Sequence, residues 1–181
     1  MIYVSGFSPV GGPPIITIDS SFDLSKNPQE PRPIIETVNL FHEDLVRYFI
    51  DNPFQMKTMN RRKFEELVAE LFSGFGYQVE LTPKTKDGGV DIIAIGCTDS
   101  IQSKYLIECK RPDPKTTVSV DIVRSLLGVK ADIPSTKAIA VTTTRFSPEA
   151  HKTQQRHKWH LELKEYDDLL KWLQKYEQLK S

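Results

Sequence analysis

Three charged residues interrupt two strand-like apolar runs. Residues 88–112 read "GGVDIIAIGCTDSIQSKYLIECKRP", with Asp91, Glu108 and Lys110 standing where buried strands favour apolar side chains. Residues two apart on a strand share a face and lie about 6.6 Å apart. Leu106, Glu108 and Lys110 therefore project to one side, and Tyr105, Ile107 and Cys109 to the other. Asp91 opens the preceding run and shares its face with Ile93 and Ile95. If the two runs pair, two carboxylates converge with an ammonium beside them. Such carboxylates repel each other unless a cation neutralises them, and hard oxygen donors with room for water suit Mg²⁺. An ion held there polarises a phosphoryl oxygen and lowers the pKa of its bound water, and a neighbouring lysine can orient that water or stabilise phosphorane charge. Asp91 and Glu108 are thus candidate metal ligands, and Lys110 the candidate group at the nucleophilic water. A plainer reading stands beside this one, because Glu-x-Lys pairs are common on solvated strand edges and "DGG" is ordinary turn chemistry. Cys109 reads most simply as a small core residue.

The elements that must position these groups follow from periodicity. In "NRRKFEELVAELFSGFGY", Phe64, Leu67, Val68, Leu71 and Phe72 form one apolar stripe. Asn60 is a natural N-cap, and Gly74 or Gly76 a natural stop. Glu65 falls at the border of the stripe, where it could reach the sheet edge as a third acidic group, and Glu66 points toward solvent. Next come strands over "YQVELT", "VDIIAIG" and "YLIECK", then a helix over "VSVDIVRSLLGVKA" and a buried strand over "KAIAVTTT". A helix capped by Ser147 with Pro148 at its first position follows, then the strand "HLELKE". The last element is an amphipathic helix with Leu169, Leu170, Trp172, Leu173 and Tyr176 inward. Three strands in succession suggest a meander, and the later alternation a crossover to a parallel strand. The expected fold class is α/β, a central mixed β-sheet flanked by helices in α-β-β-β-α-β order.

Residues 58–181 would form this domain. Residues 1–57 read as an N-terminal extension: a Pro/Gly/Ser-rich stretch, a short strand over "IITI" (15–18), a linker, and a lead-in helix carrying Val38, Phe41, Leu45, Tyr48 and Phe49. Of 181 residues, 39% are hydrophobic and 27% charged, as in ordinary globular proteins. Lys+Arg and Asp+Glu both number 24, which argues against non-specific coating of nucleic acid but allows a local basic face. Cys97 and Cys109 make no disulfide framework, so a reducing, cytoplasmic setting is the simplest reading. Neither a secretory leader nor an apolar run of bilayer-spanning length is evident. Basic residues flank the elements: Lys57, Arg61, Arg62 and Lys63; Lys84 and Lys86; Arg111 and Lys115; then Arg145, His151, Lys152, Arg156, His157 and Lys158. Gathered on one face they would make a phosphate-binding rim, with Arg62, Lys84, Lys86, Arg111 and Arg145 as candidate DNA contacts.

Four blocks, "KFEELVAELFSGFGYQVELTPKTKDGGVDIIA", "YLIECKRP", "VDIVRSLLGVKA" and "KAIAVTTTRFSPEA", occur in the order and style of one known domain. Over about residues 58 to 165 the chain resembles the Mrr-like restriction endonuclease domain of the PD-(D/E)xK nuclease superfamily. The resemblance implies a restriction-endonuclease-like core and Mg²⁺-dependent cleavage of DNA phosphodiesters, with Mn²⁺ able to substitute. It carries the catalytic set onto Glu65, Asp91, Glu108 and Lys110, with Asp91 and Glu108 at the metal. Many members have glutamine where this chain has Glu108, and Val90 replaces the usual proline before the aspartate. Thr142, Thr143 and Thr144 match a strand end near the active edge. Double-stranded DNA is the implied partner, and a homodimer is expected for cutting both strands. Three functions remain open: restriction of foreign or modified DNA, a structure-specific or repair nuclease resembling a junction resolvase, and a non-cleaving DNA- or protein-binding module. A complete Glu65, Asp91, Glu108 and Lys110 set argues against the last.

Overall fold

The computed structural model describes residues 43–83, 89–98 and 100–180. The strand expected over 15–18 and the candidate contacts Lys84 and Lys86 lie outside these residues. In chain order the elements are α1 (Glu43–Asp51), a 3-10 turn (Pro53–Lys57), α2 (Arg61–Gly74), β1 (Gln78–Leu81), β2 (Ile92–Thr98), β3 (Ile101–Lys110), β4 (Thr117–Val118), α3 (Val120–Asp132), β5 (Lys137–Thr142), β6 (Arg145–Phe146), α4 (Pro148–Arg156), β7 (Leu161–Lys164) and α5 (Tyr166–Lys180). Local chemistry sets two of the helix starts. The Asn60 side chain accepts from the Arg62 N–H at 2.8 Å, and Ser147 Oγ accepts from the Ala150 N–H at 3.3 Å with Pro148 next in line.

Strands β1, β2 and β3 form an antiparallel meander, and β5 and β7 extend it in parallel, giving the order β1-β2-β3-β5-β7. The parallel step from β3 to β5 needs a crossover, which α3 supplies. This is the mixed sheet flanked by helices that the patterning suggests. The two-residue strands β4 and β6 were not expected; they pair in parallel as a separate small sheet. Two residues are too few to carry any period. Their pairing also shortens the helix expected from Val118: Val118 is matched to Phe146, and α3 starts at Val120.

Side-chain alternation puts one apolar core on each face of the sheet. On one side, Phe64, Leu67, Val68 and Leu71 of α2 pack with Ile92, Ile107, Cys109, Ile139 and Val141, and with Leu169, Leu173 and Tyr176 of α5. Val46 and Phe49 of α1 and Met56 of the 3-10 turn are buried in this same core. On the other, Val123 and Leu126 of α3 and Ala150 of α4 cover Ala138, Ala140, Leu161 and Leu163. Leu170 and Trp172, expected inward, are half-buried at the margin. Gly74 does more than end α2. A Cβ there would lie 2.2 Å from Cε2 of Tyr176, so its lack of a side chain permits the approach of α5. No helix among the described residues is long and apolar enough to cross a membrane.

One polar pair joins α2 to α5 within that core: Tyr176 Oη donates to Glu70 Oε1 at 2.7 Å, and both residues are buried. Removing only the donor leaves a buried acceptor unsatisfied. Tyr176→Phe is therefore expected to destabilise the fold by about 1–3 kcal/mol in urea unfolding, whereas an unchanged midpoint would show that the bond contributes nothing net.

Candidate active site

Asp91 is positioned by backbone bonds before its side chain does anything. Its N–H donates to Ile107 O at 2.8 Å, and its carbonyl accepts from the Thr82 N–H at 2.9 Å. With Ile92 matched to Ile107 in the β2–β3 register, one further step sets Asp91 opposite Glu108. The Asp91 carboxylate then accepts, through Oδ2, from the Cys109 N–H at 2.7 Å. It is thereby fastened to the residue between Glu108 and Lys110. Gly89, two residues earlier, has φ +50°, a backbone that L side chains rarely adopt, and a Cβ there would lie 3.7 Å from Glu108 Oε2. The glycine is thus required by the turn that delivers Asp91.

Glu108 and Lys110 share a face of β3, as alternation requires, beside Ala140 and Thr142 of β5. Lys110 Nζ lies 2.8 Å from Glu108 Oε1, and Glu108 is only 3% exposed. The second oxygen, Oε2, is buried and has no hydrogen-bond partner among the described residues. Burial pushes the Glu108 carboxyl above its ordinary value. The hydrogen bond and charge of Lys110 pull it back, the Asp91 charge adds to the rise, and Arg61 opposes it. Cys109 points into the opposite core, 1% exposed, and burial, reinforced by Asp91, Glu65 and Glu108, drives its thiol well up. It is a packing residue, as its place in the alternation suggests.

Glu65 is reached differently from what the helix border suggests. It is 4% exposed and pairs with Arg62 Nη1 at 3.0 Å, and the same nitrogen donates to Thr82 O at 3.2 Å. Because Thr82 also bonds Asp91 O and Val90 O, α2 is tied to the Asp91 turn through Arg62. Among the described residues, no three His, Cys, Asp or Glu side chains are grouped to hold a metal ion. The Glu65 carboxylate, which the helix border offers as a third acidic group, is met here by Arg62. Glu66, expected in solvent, is instead partly sheltered, 2.7 Å from Lys63 Nζ and 3.9 Å from Arg62 Nε.

The described basic residues divide between the two ends of the sheet. Arg145 follows the carboxyl end of β5, where Lys110 and Thr142 are matched. Arg156, His157 and Lys158 precede β7 at the other end of the sheet, where the Ala138 N–H donates to His160 O. Arg62 is engaged with Glu65, and Arg111 lies next to Lys110 with Nη1 donating to Lys57 O at 3.2 Å. Arg61, named in the first basic group but not among the candidate DNA contacts, is a group whose charge acts on Glu108. Thr142, Thr143 and Thr144 are buried at the β5 end, with the hydroxyls of Thr142 and Thr144 3.3 Å apart.

Comparison with known proteins bears on this arrangement. Protein y4cE of Sinorhizobium fredii, uncharacterised, is 28% identical over 140 residues, covering 76% of this chain and 35% of that one. The fold resembles that of MspJI restriction endonuclease, solved with a 27-mer oligonucleotide, at TM-score 0.50 and 19% identity over 86% of this chain and 34% of that one. It also resembles AspBHI, a DNA modification-dependent restriction endonuclease, at TM-score 0.57 and 19% identity over 83% and 42%. The chain thus spans about a third of the length of y4cE and of MspJI, and under half of AspBHI. A family model described as restriction endonuclease, of the Mrr catalytic type, matches residues 56–173. That match covers more than half of the sequence and includes every element from α2 to the start of α5, so the chain belongs to the Mrr-like restriction endonuclease family.

Proposed function

We propose that this chain is the catalytic domain of a metal-dependent DNA endonuclease that hydrolyses phosphodiester bonds in the restriction of foreign or modified DNA. The observation that carries the reading is the pair of facing carboxylates, Asp91 and Glu108, with Lys110 at 2.8 Å and Glu108 Oε2 buried without a partner among the described residues. An unpartnered buried carboxylate oxygen is costly in a dry site. A cation would remove that cost. The donor set also fits: all-oxygen, two carboxylates, with the remaining positions left to water and phosphate, as Mg²⁺ favours and Mn²⁺ accepts.

Asp91 and Glu108 would hold the ion. When bound, it supplies neutralising charge on the phosphoryl oxygens and a water of lowered pKa. The chain's own residues do the rest. Lys110, held on the same strand face, offers N–H donors to the attacking water and to the charge that develops on phosphorus. Glu65 acts as a positioning group, since it orients Arg62, which grips Thr82 and so the Asp91 turn. The substrate in this reading is double-stranded DNA in the cytoplasm. One site of this kind cuts one strand, so cutting both requires a homodimer.

Supercoiled and methylated plasmid incubated with Mg²⁺ or Mn²⁺ tests the reading. Wild type should cut, and Asp91→Ala and Lys110→Ala should each lose on the order of 10²–10⁴ in rate. Equal cutting by wild type and both variants, or no cutting by wild type with either metal and either plasmid, would sink it.

Thermal unfolding reads the metal site separately. Without metal, Glu108 carries no ionisation-linked penalty below the ordinary glutamate range, where both states are protonated, and destabilises the folded state increasingly as pH rises from there through its raised value. Glu108→Gln should therefore gain on wild type in metal-free stability between acid and neutral pH. Added Mg²⁺ should reverse the order by stabilising wild type alone. Equal stabilisation of both proteins by Mg²⁺ would show that Glu108 is not a ligand.

A further inference from the structure

Among the described residues, two cavities that open near the carboxyl end of the parallel strands differ in charge. The larger, about 330 Å³, is lined by Lys57, Lys115 and Arg145 but also by Glu165 and Asp167, so its field is mixed. The smaller, about 220 Å³, is lined by Arg61, Lys110, Arg111, Pro112, Thr117, Val118, Ser119 and Ile122, three cations and two hydroxyls with no acidic member. Lys110 shares its charge with Glu108 at 2.8 Å. The guanidinium of Arg61 forms no hydrogen bond or ion pair among the described residues. Arg111 donates through Nη1 to Lys57 O, and its buried Nε has no partner among the described residues. A donor left in that state favours a site built to receive an acceptor.

The opening turn of α3 supplies a second source of positive potential. Val118, Ser119 and Ile122 line the cavity, so the first turn of this 13-residue helix borders it. The first N–H groups of any helix lack intrahelical acceptors. Here Ser119, the N-cap, makes no side-chain cap bond and donates instead to Asp121 Oδ2 at 3.4 Å. Asp121 itself is exposed and paired with Arg124. The volume is several times the roughly 30 Å³ taken by a liquid water, room for one phosphate group with its hydration.

We propose that Arg61, Arg111 and the first turn of α3 form a phosphate subsite adjoining Lys110, which takes the DNA phosphodiester next to the one cleaved. The subsite rests on the nuclease reading for its substrate class, and it deepens that reading by naming what anchors the strand beside the reacting phosphate. Phosphate contacts position a duplex without reading its bases, so the subsite sets register at the metal pair rather than sequence choice. Arg61 is a binding residue here. Its guanidinium can engage two phosphate oxygens at once.

The test uses the full chain, a fluorescein-labelled DNA duplex without metal, and plasmid cleavage with Mg²⁺. Arg61→Gln should bind the duplex about tenfold more weakly and lower the salt dependence of binding by about one phosphate contact. In cleavage it should raise KM far more than it lowers kcat. Arg61→Lys should restore the salt dependence but only part of the affinity. Ser119→Asp separates ligand binding from folding: it strengthens the helix cap, so thermal stability should hold or rise, yet DNA binding should fall. Unchanged salt dependence in Arg61→Gln, or undiminished binding by Ser119→Asp, overturns the subsite. Absence of cleavage by wild type would count against the nuclease reading alone, because the salt dependence is read without cleavage.

Discussion

The hydrogen bond from the Cys109 N–H to Asp91 Oδ2, 2.7 Å long, is the constraint on which the site depends. It joins the residue just before β2 to the middle of the Glu-x-Lys stretch on β3, so Asp91 cannot drift from Glu108 without breaking strand pairing. A one-residue slip would turn Glu108 and Lys110 into the α2 core and bring Cys109 to the α3 face. Such a slip would bury two charges in an apolar layer. The apolar residues of both faces therefore hold the register, and the register holds the carboxylates together.

That arrangement has a cost that the rest of the fold must offset. Glu108 is almost fully buried, next to another carboxylate, with one oxygen unpartnered among the described residues. Glu65 and Glu70 are buried as well, but each has its own partner, Arg62 for one and Tyr176 for the other. The contrast is informative. Among the described residues, Glu65 and Glu70 serve the framework and are paired there, whereas Glu108 keeps Lys110 on one oxygen and leaves the other, beside Asp91, without a partner. Strain of this sort persists only where surrounding structure over-determines it, and here two packed cores and the left-handed Gly89 do so.

Much of the fold was legible because its signals are local. The α2 stripe from Phe64 to Phe72, the Asn60 and Ser147 caps and the alternation over "YLIECK" each arise within a few residues. The α3 crossover to a parallel strand follows from element order alone. What escaped was non-local or very short. Strands β4 and β6 exist only because Thr117 and Val118 meet Arg145 and Phe146, and Gly74 matters because of Tyr176 in a helix about a hundred residues away. The partly sheltered Glu66 and the pairing of Arg62 with Glu65 come from i,i+3 and i,i+4 spacing on α2.

The sequence by itself determined which residues share a face, Glu108 with Lys110 and Cys109 opposite, because the period of a strand is a property of the backbone. It also determined the order of the elements. Only the tertiary structure decided that Asp91 sits across from Glu108, that Glu65 is answered by Arg62, and that the basic groups fall at opposite ends of the sheet. Register, side-chain pairing and crossover geometry are settled by contacts between residues far apart in the chain. No local pattern of residue types records which of those contacts closes.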